Sequence, residues 1–263
     1  MPFGFTLRNR IVFFFLVVVI AGGSVAMVLG ISLYGRTVVK RAQVEVTMNL
    51  NSARMVFQQK VDTVSLLMQF TARRGQLLDG LVERNRPFLQ QLLEQVRMDN
   101  NLDFIGLTDE RGMVLVRGRY PYTADDDQSN DELVSRALTG ETATCPQILS
   151  QERLIREGDR LSEQAFMTFV KTPRAIPRPR ESETSGMVIT SAVPVMDRDG
   201  RIRGALYGGV LLNRNHEIVD RIKNNVYRDE QYNGKEVGTA AIFQWDVRIS
   251  TNVKNLSGLR AIG

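Results

Sequence analysis

Residues 11–33 read IVFFFLVVVIAGGSVAMVLGISL and carry no charge. About 20 apolar residues in a helix suffice to cross the hydrocarbon core of a bilayer. The run therefore predicts a transmembrane helix. The alternative is a cleavable secretory segment, with Ser24-Val25-Ala26 as its small-residue processing site. Against that, the apolar run continues through Met27, Val28, Leu29, Ile31 and Leu33. Arg8 and Arg10 precede the run and Arg36, Lys40 and Arg41 follow it, so the positive-inside count nearly ties. Residues 1–10 are too few to hold a domain, and the N-terminus is placed inside. Everything beyond residue 34 is then extracytoplasmic.

Composition narrows the function class. One Cys excludes an intrachain disulfide and a cysteine zinc cluster, and one His removes most metal sites and most triads. An enzyme is disfavoured, and no cofactor is expected. The net charge of +5 comes from 34 bases scattered among 29 acids, a weak argument for a nucleic-acid partner.

After the apolar run, Val39, Ala42, Val46, Leu50, Ala53, Phe57, Val61, Val64 and Met68 recur at steps of three and four. That spacing is one face of a helix, which would reach residue 72 if unbroken, and the face is narrow enough to pair with a second helix. The same face could instead cover the domain that follows, and different stretches can do each. Gly75 and Gly80 loosen the pattern, and Pro87 opens a second helix over 86–98. From Leu102 the pattern changes. Residues 104–107 and 113–118 read as a hairpin turning at Asp109–Gly112. Residues 119–130 are a polar loop with Asp125, Asp126 and Asp127. Asp131 caps a helix over 132–138, and residues 151–166 suggest another. Lys171 to Glu183 holds three prolines and reads as loop. A second hairpin runs from Met187 to Val195 and from Ile202 to Leu212, turning at Asp197–Gly200. On its return strand Ile202, Leu206, Val210 and Leu212 share the core parity. Arg203, Ala205, Tyr207 and Gly209 share a small, polar parity suited to a surface that a ligand or loop approaches. A helix over 215–226 follows. A third hairpin, 238–242 and 247–251, either joins the first sheet or opens a second module. The expected class is α+β: an antiparallel sheet with helices and loops on one side.

Several segments are similar to the extracytoplasmic Cache sensor region of bacterial transmembrane histidine kinases and methyl-accepting chemotaxis receptors. They are FIGLTDERGMVLVRG (104–118), ELVSRALTGETA (132–143), SGMVITSAVPVMDRDGRIRGALYGGVLLNRNHEIVDRIK (185–223) and GTAAIFQWDVRISTNV (238–253). The resemblance covers roughly 35–263. It implies a PAS-like module that binds a small molecule between its sheet and a loop-helix layer, here 119–145. The last segment resembles the opening hairpin of the second module of double-Cache receptors. Such receptors continue through that module, a second membrane helix and a signalling domain, so the chain is expected to be truncated in the second module. Trp245 stands where a small or polar turn residue is usual, which predicts a distorted turn.

The candidate ligand-binding residues are Arg117, Arg119, Tyr120, Tyr122 and Tyr207. An Arg on a mostly apolar strand face, which Arg117 shares with Met113 and Leu115, needs an anionic partner. A ligand carboxylate could supply it in bidentate fashion, and so could the Asp125–Asp127 loop. The other candidate chemistries read more simply. His216 is a helix N-terminal surface histidine, and Gly204, Gly208 and Gly209 pack the sheet closely. Cys145 has no base beside it. The acidic triplet lacks the spacing of a calcium loop. Lys171, Arg174, Arg178 and Arg180 form a solvated loop.

The expected organisation is a leader (1–10), a membrane helix (11–33), a long helical region (34–100), a PAS-like Cache module (101–226) and the start of a second module (227–263). The expected function is small-molecule sensing at the bacterial inner membrane, with a small organic anion as ligand. The expected partners are that ligand, the bilayer through 11–33 and a second copy through the long helix. A single-span scaffold whose outer domain binds another protein is the alternative.

Overall fold

A computed structural model describes residues 7–170, 179–227, 231–232, 235–236 and 238–263. The basic segment Lys171, Arg174 and Arg178 lies outside them. The chain divides into two units, Met1–Ser52 and Ala53–Gly263.

The first unit belongs to α1, Leu7–Ala72. Its apolar side chains from Ile11 to Leu33 are exposed wherever they are described, and among the described residues this is the one helix long and apolar enough to cross a membrane. Val39, Val46 and Leu50 of this unit also stand exposed.

The second unit contains α2 (Gly75–Val82), α3 (Arg86–Asp99), β1 (Phe104–Thr108), β2 (Val114–Arg117), α4 (Glu132–Leu138), β3 (Ala143–Leu149), α5 (Gln151–Glu157) and α6 (Leu161–Ala165). The short pair β4 (Met167–Thr168) and β5 (Ser182–Glu183) follows. Then come β6 (Gly186–Met196), β7 (Ile202–Leu211) and α7 (Glu217–Tyr227). The chain ends with β8 (Gln231–Tyr232), β9 (Lys235–Glu236), β10 (Ala241–Gln244) and β11 (Val247–Thr251). Local signals explain the helix starts. Asp131 accepts from the backbone of Leu133 and Val134, Ser150 from Arg153, and Asn85 from Phe88 beside Pro87, each satisfying an otherwise unpaired first-turn N–H. Arg160, in the left-handed region at φ 60°, separates α5 from α6 within what reads as one helix.

Five strands form an antiparallel sheet in the order β2-β1-β7-β6-β3. One face packs Ile105, Leu107, Ile189, Val193, Leu206 and Val210 against Val64 and Met68 of α1, Leu77 of α2 and Leu93 of α3. The other packs Phe104, Val188, Ala192, Ala205 and Leu211 against Leu133 and Val134 of α4, Leu154 of α5 and Leu161 of α6. Helices thus cover both faces, where the sequence reading placed them on one side. The helical stripe of α1 is buried from Val61 to Met68, where it covers the domain that follows, and exposed at Val39, Val46 and Leu50.

β10 and β11 make a separate two-stranded sheet that does not join the five strands. Trp245 sits at its turn with φ +58° and is 76% exposed, the distortion expected of a bulky residue there.

Candidate functional site

The second sheet face carries polar groups. Register places Arg117, Gly106, Tyr207, Ala192 and Ala143 in one row across all five strands. The next row is Phe104, Gly209, Thr190 and Cys145, and the one beyond contains Leu211, Val188 and Gln147. Simple alternation would put Leu115 on Arg117's face. Instead a register shift pairs Val116 with Leu107 and Val114 with Thr108. This bulge turns Leu115 toward the α1–α3 side and leaves Arg117 on the face of Val114 and Tyr207.

Arg117 is completely buried. Its Nη1 and Nη2 donate to Asp126 at 2.6 and 2.9 Å, and its Nε and Nη2 to Glu157 at 3.1 and 3.2 Å. Nη1 also donates to the Thr123 carbonyl at 2.8 Å. Every guanidinium N–H is used, with a carboxylate fork on each edge. Asp126 comes from the acidic loop that the sequence offered as an alternative partner. Glu157, on α5, was not foreseen: it reads as one more acid of an amphipathic helix and is fully buried. Burial opposes both charges, yet the mutual hydrogen bonds win. The Arg117 charge is held more firmly than usual, and the Asp126 carboxyl falls from 3.8 to about 2. A depressed carboxylate contributes stability that is complete above its unfolded value and is lost as pH falls through its folded value. Acid unfolding followed by circular dichroism should therefore show a loss of stability from pH 3.8 through about 2 that is absent in Asp126→Asn.

Arg153 of α5 continues the network. Its Nη1 donates to Asp131 at 2.8 Å, and its Nε lies 3.4 Å from Glu157 without hydrogen-bond geometry. Its guanidinium sits 6.0 Å from the centre of the Tyr207 ring. Tyr207 is fully buried and reaches over Gly106, where a Cβ would stand 2.4 Å from its hydroxyl. Burial and the nearby Glu157 push the phenol well above its ordinary value, so it is a neutral donor. The Tyr207 hydroxyl, Thr190 Oγ1, Gln147 Oε1 and Arg153 Nε have no hydrogen-bond partner among the described residues. Tyr207, Thr190 and Gln147 form a diagonal across β7, β6 and β3, one row apart each. A buried polar group without a partner costs about 1–3 kcal/mol, so this diagonal is a place where a bound molecule would be stabilised. Arg153 also lines a cleft of about 420 Å³, with Asp127, Gln128, Asp131, Glu152 and Arg156, whose lining does not include Tyr207, Thr190 or Gln147.

The other expected site residues face elsewhere. Arg119 donates to Asp159 at 2.9 Å and to the Asp103 carbonyl at 3.0 Å. Tyr122 donates to Glu94 of α3 at 2.9 Å. Tyr120 packs edge-on to Tyr122 and is 63% exposed. The structure thus brings Arg117 and Tyr207 together and places Arg119, Tyr120 and Tyr122 on the outer side of the loop. His216 precedes α7, with Nδ1 3.2 Å from Ser250 Oγ. Gly204 and Gly209 approach neighbouring carbonyls so closely that a Cβ would stand 2.0 Å from each, the close packing expected of them. Among the described residues no group of His, Cys, Asp and Glu is arranged to hold a metal.

The sequence matches the family described as "LuxQ, periplasmic" over residues 43–230 and "Single cache domain 3" over 210–263. No curated protein matches it. Similar solved structures include the sensor domain of the Vibrio cholerae histidine kinase DctB, with 12% identity over 80% of this chain and 85% of that one, at a TM-score of 0.48. The periplasmic domain of V. cholerae LuxQ is 15% identical over 79% of both chains, at a TM-score of 0.45. The sensory domain of the Campylobacter jejuni chemoreceptor Tlp3 with isoleucine bound is 15% identical over 84% of this chain and 72% of that one, at a TM-score of 0.44. With most of its length under one family description, the chain belongs to the LuxQ periplasmic family of non-catalytic sensor domains.

Proposed function

We propose that the chain is the sensing input of an inner-membrane receptor, and that its ligand is a small organic anion bound on the sheet face beneath α5. The observation that carries this reading is the unpartnered buried hydroxyl of Tyr207 beside Arg153, on the same sheet face as the unpartnered buried atoms of Thr190 and Gln147. A fully paired core would leave no such atoms. A molecule that accepts from Tyr207 and Arg153 and meets Thr190 would satisfy them. The cleft that Arg153 reaches is lined by Asp127, Asp131, Glu132 and Glu152 against Arg153 and Arg156. Four acids against two guanidiniums leave that rim net negative, which opposes a ligand more strongly the more negative charge it carries, so the attraction for an anion has to come from Arg153 and the Tyr207 hydroxyl. Arg117 and Tyr207 belong to the floor of the site, and Arg119, Tyr120 and Tyr122 hold the loop that walls it.

In this reading residues 11–33 anchor the receptor, 34–100 form its signalling helices, 101–226 the Cache module and 227–263 the start of a second module. The hairpin β10–β11 pairs apart from the five strands, while its Val247 and Ile249 pack into the same core as one face of that sheet. The exposed stripe Val39, Val46 and Leu50 suits pairing with a second copy. Ligand binding acts by favouring one of two arrangements of the sheet and its helices, which requires different affinities for the two.

A thermal-shift screen of the full chain in detergent, with mono-, di- and tricarboxylates against chloride at equal ionic strength, tests the reading. A monocarboxylate at about 100 times its dissociation constant adds about 2.7 kcal/mol, and di- and tricarboxylates add less. No shift with any carboxylate removes the organic-anion reading. Tyr207→Phe supplies a second check on the unliganded protein. Removing an unpartnered buried hydroxyl should leave the melting midpoint unchanged or raise it. A clear fall would mean that the hydroxyl is bonded.

A further inference from the structure

An anion that reaches Arg117 meets a carboxylate already in place. Asp126 grips the Nη1–Nη2 edge as a ligand carboxylate would, and its side chain is 16% exposed, whereas Glu157 on the opposite edge is fully enclosed. Asp126 rides on the loop between β2 and α4. That loop is laid along β2 by hydrogen bonds from Asp125 N to Val114 O, from Val114 N to Asp126 O and from Gln128 N to Gly112 O, at 2.8 to 2.9 Å. Tyr122 and Asp125, which bracket Thr123 and Ala124, hold positive φ of 55° and 64°, a conformation that costs non-glycine residues energy. The loop's inner contacts to Arg117 offset that cost.

The same loop reaches the opposite layer. Asp125 accepts from Arg86 at the start of α3 at 2.6 and 3.2 Å, and Tyr122 donates to Glu94 in the middle of α3. One segment thus joins the buried guanidinium to the helical layer that includes α1.

We propose that Asp126 is an internal stand-in for the ligand: a small monocarboxylate competes with it for the outer edge of Arg117, and its displacement frees the 119–130 loop and loosens that loop's ties to α3. This rests on the reading that the face beneath α5 is the ligand site. It makes Asp126 a residue that sets affinity and Tyr122–Glu94 and Arg86–Asp125 the contacts through which occupancy is transmitted.

The test is titration of the full chain in detergent with formate, acetate, propionate and lactate, in wild type and in Asp126→Asn, against chloride at equal ionic strength. Asparagine keeps the shape but leaves the outer edge of Arg117 without its anion. The variant should bind the same carboxylate at least tenfold more tightly. Hydrogen exchange on the wild type is read alongside, so that a variant that folds poorly does not decide the matter. With the carboxylate bound, the amides of Val114, Asp125 and Gln128 should exchange faster. Equal or weaker binding by a folded Asp126→Asn, or slower exchange at those amides, overturns the displacement while leaving the sensing function standing. If neither protein binds any of the four acids, the organic-anion reading itself falls, and the competition with it.

Discussion

Arg117→Ala should lower the stability of the folded sensor unit by about 3–5 kcal/mol, the loss expected when one partner of a buried ionic network is removed. In a unit of Ala53–Gly263 that corresponds to a fall of about 6–20 °C in the melting midpoint. The reason is the company the side chain keeps. Glu157 is enclosed completely and depends on Arg117 for two hydrogen bonds. Without the guanidinium, Glu157 keeps only the ion pair with Arg153 at 3.4 Å, which lacks hydrogen-bond geometry, and Asp126 loses its fork. Arg117→Lys should recover part of the loss, because it restores the charge but not the paired geometry. Thermal unfolding of both variants measures this. An unchanged midpoint in Arg117→Ala would mean that the two carboxylates do not lean on this residue. A loss of ligand response in Arg117→Ala therefore has a structural cause at hand, and the binding test must fall on other side chains.

Gly209→Ala should be comparably severe, at about 3 kcal/mol or more. An added Cβ would lie 2.0 Å from the Ile189 carbonyl oxygen. That oxygen belongs to the neighbouring strand, whose register with β7 is set from Val188 to Val195. Neither partner can move without breaking ladder pairs, so the cost exceeds ordinary overpacking. Gly75→Ala is the control: nothing lies within 4 Å of its added Cβ, and the change should stay within about 1 kcal/mol. Chemical denaturation of the two variants compares them directly. Equal midpoints would contradict the close approach of β6 and β7.

Much of this architecture was legible in the residues. The apolar run, the three-and-four stripe, the cap at Asp131, Pro87 at the start of α3 and the turns of the two long hairpins are local signals, and the corresponding elements follow them. β3 was not legible. Ala143-Thr144-Cys145-Pro146-Gln147 has little strand character, and Pro146 cannot donate to a ladder. The segment pairs with β6 because it lies at the sheet edge, where a missing donor is tolerated. The site was half legible. The small, polar parity of β7 pointed to Tyr207 and Gly209. The acidic loop was visible as a partner for Arg117. Glu157, Arg153, Thr190 and Gln147 were not, since each is unremarkable within its own element and only the long-range register assembles them. Arg119, Tyr120 and Tyr122 adjoin Arg117 in sequence, but the turn after β2 directs them to Asp159, solvent and Glu94 instead.

The most direct test of the ligand site is calorimetric titration of the full chain in detergent with the monocarboxylate that gives the largest thermal shift. Wild type is compared with Tyr207→Phe and Thr190→Val, and with Trp245→Ala on the separate hairpin as a remote control. The account predicts that both inner-face variants melt at or above the wild-type temperature yet bind at least tenfold more weakly, while Trp245→Ala binds as wild type does. Unchanged affinity in both inner-face variants, or a loss confined to Trp245→Ala, would place the ligand elsewhere.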